Sequence, residues 1–419
     1  MKKQTICLNM IVKNEREIIR DCLDSIKEQI DCWVIVDTGS TDGTQEEIID
    51  CMKEIPGQLV ERPWKNFAYN RNEALLLAHG RADYSLIMDA DDLFQRSAEF
   101  EMPELIADCY LISVLEPSGI VSPRVGLINN RSGIYWVGSL HETVQSNEPC
   151  TLKHLENAFF FSDTKRGARG RDPEKYLKDA QILEKAIQEE PENTRYLFYL
   201  GQSYLNGKDY LRSLGAYQKR AEMGGCEEEV FFSLCIAAKI QHFLQMDPEI
   251  FLESFSKAYA YRPSRAEPLF YSGVHYIGQK NFKAAYPLLK KAASLPRTTD
   301  QLFIEFLVID FFVFIEFYHC CVKLGRYEEA EAICRKLLKS PHLPEEKREA
   351  VQQELKMLRK TAPFLFLKGS AEQAVPSAHH FFPGKFIQNE LPHFRAVLQR
   401  DGFRLLQSVQ QKGEILRSL

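Results

Sequence analysis

Three polar loops, each set at the end of an apolar run, limit the folds open to this chain more than any other feature. They are Met10-Ile11-Val12-Lys13-Asn14-Glu15, Asp37-Thr38-Gly39-Ser40-Thr41-Asp42-Gly43-Thr44 and Asp89-Ala90-Asp91-Asp92. Thr5 to Val12, Cys32 to Asp37, Leu59 to Glu61 and Tyr84 to Met88 read as strands. Glu15 to Gln29, Thr41 to Lys53 and Asn70 to His79 read as helices, the second opening on a Thr or Asp cap. Strands alternating with helices of about 10 to 15 residues form βαβ units and a parallel sheet. The polar loops then fall at the carboxyl ends of the strands, the edge at which open α/β sheets bind ligands.

One such domain does not account for 419 residues. A single core stops growing at roughly 250 to 300 residues, so at least two domains are expected, and a 45% hydrophobic composition supplies both cores. A net charge of −5 and a pI near 6.1 give no basic field for nucleic acid or an anionic membrane. The eleven cysteines include no C-x-x-C pair, and Met1-Lys2-Lys3-Gln4 leads straight into a strand pattern rather than a secretory signal. A reducing cytoplasm is the expected compartment. Phe303 to Val322 is apolar enough to suggest a membrane span, but Glu305, Asp310 and Glu316 interrupt it. Carboxylates are costly in lipid, so a buried helix of a soluble domain is expected there and no transmembrane segment.

Beyond Lys165-Arg166-Gly167-Ala168-Arg169-Gly170-Arg171, a basic glycine-containing connector, strand signals vanish. Leu197, Leu200, Gly201 and Tyr204 put a bulky, bulky, small, aromatic pattern on one helix face, which Ser213 and Tyr217 extend to the next helix. The template returns at Leu269, Gly273, Tyr276, Ala285, Leu289 and Ala292. It appears again at Phe314, Tyr318, Ala330, Cys334 and Leu337, with a weaker copy over Phe231 to Pro263. Small residues that admit a neighbouring helix, with aromatics filling the groove, follow the packing rule of tetratricopeptide repeats of about 34 residues. The expected division is an α/β domain over 1–165, an all-α solenoid over 172–360, and a partly flexible tail with terminal helices over 361–419. The apolar Phe303–Val322 helix is a candidate surface for a homodimer through the repeats.

The loops carry chemistry. Asp37 at a strand end can accept from a ribose hydroxyl or a uracil N–H, or serve simply as a polar turn residue. Asp89, Asp91 and Asp92 can place oxygens on one hard divalent cation, Mn²⁺ or Mg²⁺, or form a solvated acidic turn. In Tyr135-Trp136-Val137-Gly138-Ser139-Leu140-His141-Glu142, His141 can complete a metal shell and Glu142 can deprotonate an acceptor, unless the two are an ordinary loop pair. Asn70 and Arg71, at a helix start within Trp64 to Glu73, suit a base or a phosphate, or a capped helix with a hydrophobic staple.

In order and spacing, Met10–Glu15, Asp37–Thr44, Phe67–Glu73, Asp89–Asp92 and His141-Glu142 resemble the family 2 glycosyltransferases of GT-A fold. The resemblance is closest to a subgroup that couples this domain to tetratricopeptide repeats and contains a peptide S-glycosyltransferase. It implies a Rossmann-like, mixed, mainly parallel sheet and a metal-dependent inverting transfer of a hexose from a nucleotide-sugar donor, expected to be a UDP-sugar. Val12, Asn14, Glu15 and Asp37 would line the nucleotide pocket, with Arg71 approaching the uracil or the diphosphate. Asp89 and Asp91 would correspond to the family's D-x-D, Asp91 the more direct metal ligand and His141 a third. Glu142 is the first choice of base and Asp92 the second, because the Glu-Asp pair of many family members is absent. The acceptor is expected to be a peptide or protein presented by the repeats. Alternatives are lipopolysaccharide or another surface glycan, and a repeat-based binding scaffold on a silent sugar-transferase domain.

Overall fold

The computed structural model describes residues 4–117, 121–300, 304–340, 343 and 345–365. These fall into two compact units that part between Asp209 and Tyr210. The expected tail beyond Leu365, including Arg395, Arg400 and Arg404, lies outside the described residues.

The first unit opens with β1 (Ile6–Val12), α1 (Ile19–Ile26), β2 (Cys32–Asp37), α2 (Thr44–Met52), β3 (Gly57–Glu61) and α3 (Phe67–Ala78). Then come β4 (Tyr84–Ile87), β5 (Asp92–Arg96), β6 (Cys109–Leu115), β7 (Val121–Asn129), the hairpin β8 (Tyr135–Val137) and β9 (Thr143–Gln145), and β10 (Leu152–Ser162). Three helices close it: α4 (Ala168–Arg171), α5 (Lys175–Glu189) and α6 (Thr194–Asn206). Eight strands form one sheet in the order β3-β2-β1-β4-β7-β6-β10-β5. β3, β2, β1 and β4 run parallel, as do β6 and β10, while β7 and β5 run against their neighbours. This is the mixed, mainly parallel sheet expected from the sequence.

The order of connection reverses at β1, which lies between β2 and β4, so the carboxyl ends of these three strands border a topological switch point. Their interiors are apolar because helices cover both faces of the sheet. Two helices begin later than their sequence pattern suggests. α1 waits until Ile19 because Glu15 to Ile18 close first into a turn, the Ile18 and Ile19 N–H groups donating to the Glu15 carbonyl at 3.0 and 2.9 Å, and Ile18 has a non-helical φ of −125°. α2 waits until Thr44, whose N–H donates to Asp42 Oδ1 at 3.0 Å across Gly43, φ 94°. α3 begins earlier than expected because Asn66, accepting from the Tyr69 N–H at 2.8 Å, caps it.

The second unit is helical: α7 (Tyr210–Glu222), α8 (Glu227–Phe243), α9 (Pro248–Tyr261), α10 (Glu267–Gly278), α11 (Phe282–Ser294), α12 (Val313–Lys323), α13 (Tyr327–Lys339) and α14 (Glu345–Leu365). Successive helices pack on one another as expected of repeats, α8 on α9, α10 on α11 and α12 on α13. A π-helical turn, Val308–Phe312, leads into α12. Most of that apolar stretch is buried, and among the described residues no helix is long and apolar enough to cross a membrane.

Gly273 explains the small position of the repeat template. A Cβ there would lie 2.7 Å from Leu289 Cγ, and Leu289 is fully buried on α11. Gly273→Val is therefore expected to destabilise this unit by about 2–3 kcal/mol through overpacking. Gly215→Ala on α7, where a Cβ meets nothing within 4 Å, should stabilise by up to about 1 kcal/mol through helix propensity. Urea unfolding followed by circular dichroism separates the two, and equal midpoints would refute the close approach.

Candidate active site

The first two loops are stitched together at the ends of β1 and β2, where Val12 and Asp37 are register partners. The Thr38 N–H and hydroxyl donate to the Val12 carbonyl at 2.9 and 3.0 Å. The Asn14 N–H donates to Ser40 Oγ at 2.9 Å, Asn14 Oδ1 accepts from the Thr41 N–H at 2.8 Å, and the Glu15 N–H donates to Thr44 Oγ1 at 2.8 Å. Val12 is buried, and it and Asn14 thus build the loop. Asp37 is fully buried; its Oδ1 accepts from the N–H groups of Gly39 and Ser40, both at 2.8 Å. Its Oδ2 is buried without a hydrogen-bond partner among the described residues. A buried acceptor without a donor is costly, so a ligand N–H or O–H would relieve it.

The third loop lies beside these at the end of β4 and is organised by two arginines from separate elements. Arg71, on α3, donates from Nη2 to Asp89 Oδ1 and from Nε to Glu142 Oε1, both at 2.7 Å. Arg124, on β7, donates from Nη1 to Asp89 Oδ2 at 3.2 Å and pairs through Nη2 with Asp92. Burial alone would push the Asp89 carboxyl up, but Arg71 and Arg124 outweigh it and hold the group at about 2. Asp92 is fully buried and accepts from the Asp89 N–H at 2.8 Å. Burial raises its carboxyl despite Arg124. With no exposed surface, Asp92 cannot meet an acceptor as the second choice of base requires; it holds the loop instead.

Asp91 differs. Its carboxylate accepts no hydrogen bond among the described residues, and burial, then Asp92 and Asp89, push it up to about 7. It faces the segment after β10, which the sequence suggested was only a connector. A Cβ on Gly167 would lie 3.5 Å from Asp91 Oδ2 and 3.5 Å from Glu15 Oε1. The next N–H, of Ala168, donates to Glu15 Oε2 at 3.0 Å, and the Asp163 N–H donates to the Asp91 carbonyl at 3.3 Å. Burial lifts Glu15 to about 6.

The expected metal trio of Asp89, Asp91 and His141 is not assembled. Asp89 has both oxygens on guanidiniums, and the His141 ring stacks on Tyr199 at 3.9 Å between centroids. Among the described residues no three His, Cys, Asp or Glu side chains are grouped to hold a metal. Burial, then Arg169, Arg195 and Lys175, push His141 well below its ordinary value. Of the expected trio, Asp91 alone keeps the character of a cation ligand: a carboxylate crowded by other carboxylates, which a divalent ion would relieve. Sequence reasoning missed Arg124, Gly167, Ala168 and Tyr199. Only Arg124 left a signal, as the lone charge in the otherwise uncharged strand Val121–Asn129.

Fold and site together define an α/β domain with an acidic cluster at its switch point. Residues 7–112, which include all three loops, match the family model Glycosyl transferase family 2. Glycosyltransferase SunS, encoded by an SPbeta prophage in Bacillus subtilis, is 26% identical over 239 residues, 51% of this chain and 54% of its own. A TPR repeat-containing protein of Synechococcus elongatus is 29% identical over 150 residues, 34% of this chain and 36% of its own. The chain thus spans about half the length of SunS and about a third of that of the TPR repeat-containing protein. Among solved structures, S. aureus TarS 1-349 in complex with UDP-GlcNAc aligns over 71% of this chain and 94% of that one, at 16% identity and a TM-score of 0.35.

Proposed function

We propose that this protein is an inverting glycosyltransferase that moves a hexose from a UDP-sugar to a peptide or protein acceptor, the acceptor being presented by the helical repeats. The observation that carries the reading is Asp37 Oδ2, a buried acceptor without a donor among the described residues, at the switch point beside the acidic loop. An acceptor in that place suits the N–H of uracil, with Gly39 and Ser40 fixing the carboxylate's orientation. Asp91, and Glu15 across Gly167, are the residues that would hold Mn²⁺ or Mg²⁺. When bound, such an ion offsets charge on a departing diphosphate. Glu142 is the candidate base: Arg71 orients its carboxylate, and from there it takes the proton of the attacking acceptor group. The sugar–phosphate bond breaks as the acceptor bond forms on the opposite face of the anomeric carbon. Solenoids commonly bind extended peptides, which favours a peptide over a surface-glycan acceptor.

Turnover of a panel of UDP- and GDP-sugars, with and without Mn²⁺ or Mg²⁺, tests the reading. Release of one nucleotide, dependent on metal and abolished by Asp91→Ala, is expected. Asp37→Asn keeps an acceptor for Gly39 and Ser40 but turns the orphan acceptor into a donor. It should weaken UDP binding by about 10- to 100-fold, the effect of 1–3 kcal/mol. No turnover and no nucleotide binding with any metal would leave a repeat-based binding scaffold.

A further inference from the structure

The turn of the β8–β9 hairpin, residues 138–142, carries Glu142 and is held from two sides. On one side is α3: the Phe67 N–H donates to the Ser139 carbonyl at 3.4 Å, and Arg71 grips Glu142. Asn72 exchanges two hydrogen bonds of 2.7 Å with the backbone of Trp136, at the foot of the turn. On the other side is α6, which the repeat pattern would assign to the solenoid but which belongs to the first unit. Its Tyr199 ring lies flat on His141, 3.9 Å between centroids and 14° between planes. Arg195 Nη2 donates to the His141 carbonyl at 3.2 Å, and its guanidinium lies 5.0 Å from the Tyr199 ring centre. The Ser139 N–H donates to the Tyr196 hydroxyl at 3.3 Å.

His141 has φ 55°, a left-handed conformation that costs a non-glycine residue on the order of 1 kcal/mol or more and persists only where surroundings enforce it. Adjacent residues then point opposite ways, His141 into α6 and Glu142 onto Arg71. The backbone angle at His141 fixes where the Glu142 carboxylate emerges.

We propose that Tyr199 and Arg195 of α6 are positioning residues that act through His141 to aim Glu142, making this helix a working part of the transferase domain. The proposal rests on the reading of Glu142 as the base. It also gives His141 a task other than metal ligation, and it ties the first repeat-like helix to the reacting end of the site. Misplacing a catalytic group by about 1 Å costs on the order of 100-fold, so a loosened turn should be visible in turnover.

The test uses hydrolysis of UDP-glucose with Mn²⁺, or of whichever donor in the panel turns over, water serving as acceptor. Tyr199→Leu is expected to lower kcat by about 10- to 100-fold with the donor KM unchanged, and Tyr199→Phe to retain it. In a Glu142→Gln background Tyr199→Leu should change kcat by less than about twofold, because both act on one step. Full multiplication of the two effects, or wild-type kcat in Tyr199→Leu, overturns the proposal. Hydrogen exchange separates its failure from that of the transferase reading. If the wild type turns over no donor, faster exchange of the amides of residues 139–142 in Tyr199→Leu still supports the clamp, and wild-type exchange overturns it.

Discussion

Arg71→Ala is expected to lower the stability of the first unit by about 3–5 kcal/mol and to abolish transfer, the largest loss from any single substitution at the site. The guanidinium is buried, with one nitrogen on Asp89 and another on Glu142, and it lies 5.2 Å from the centre of the Trp136 ring. Alanine leaves two carboxylates beside Asp91 and Asp92, with Arg124 and the more distant Arg169 to compensate for Asp89. Breaking one side of a buried ionic group costs more than the group contributes, because the remaining charge has lost its partner and cannot regain water. Arg71→Lys should recover part of the stability and little of the turnover, since one ammonium on a flexible stem cannot hold two carboxylates in fixed directions. The pH dependence carries a sign. Asp89 is held down to about 2, so its stabilising contribution is present above its unfolded value near 4 and is lost as the pH falls toward 2. The gap between wild type and Arg71→Ala should therefore narrow over that range. Trp33, Trp64 and Trp136 are the only tryptophans and all lie in the first unit, so fluorescence-monitored urea unfolding reads this unit alone. A wild-type midpoint in Arg71→Ala would sink the account.

Why Arg71 was legible in the sequence and Arg124 was not follows from where their partners lie. Loops such as Asp37–Thr44 and Asp89–Asp92 declare themselves because their polar groups are contiguous and close an apolar run. Parallel pairing then brings separate runs to one edge, as the register of Val12 with Asp37 illustrates. The helical region was legible for a related reason. Gly273 and Leu289 meet through a spacing that recurs, so the pattern itself announces the contact. Arg124, Gly167 and Tyr199 reach the site from β7, from the turn after β10 and from α6; a lone charge marks Arg124 in its strand, but nothing local in the chain says which carboxylates it meets or marks the other two approaches. Their contacts depend on how a strand, a turn and a helix are packed. His141 shows the same limit from the other direction: its residue type suits a metal, but the neighbour that packing supplies is an aromatic face. A sequence pattern thus identifies which groups can do chemistry more readily than which groups aim them.

Asp91→Asn is expected to do the opposite of Arg71→Ala to stability while sharing its effect on turnover. A carboxyl whose folded value is raised to about 7 from an ordinary value near 4 costs stability as it ionises. Its contribution is neutral below about pH 4 and becomes increasingly unfavourable as the pH rises toward 7. At about 1.4 kcal/mol per pH unit the upper bound is about 4 kcal/mol, and partial exposure reduces the expected gain from Asp91→Asn to about 2 kcal/mol at pH 8. Near pH 4 the two proteins should unfold together. These measurements belong in a chelator, because a divalent ion that binds only the folded protein stabilises it by mass action. Added Mn²⁺ should raise the wild-type midpoint and leave that of Asp91→Asn in place. Natural sequences keep such destabilising groups where function needs them. Here the repulsion among Asp89, Asp91 and Asp92, left in part unrelieved by Arg71 and Arg124, is what makes Asp91 available to a cation. A variant less stable than wild type at pH 8 in chelator would show that Asp91 is satisfied within the chain, and the metal reading of the acidic loop would fall with it.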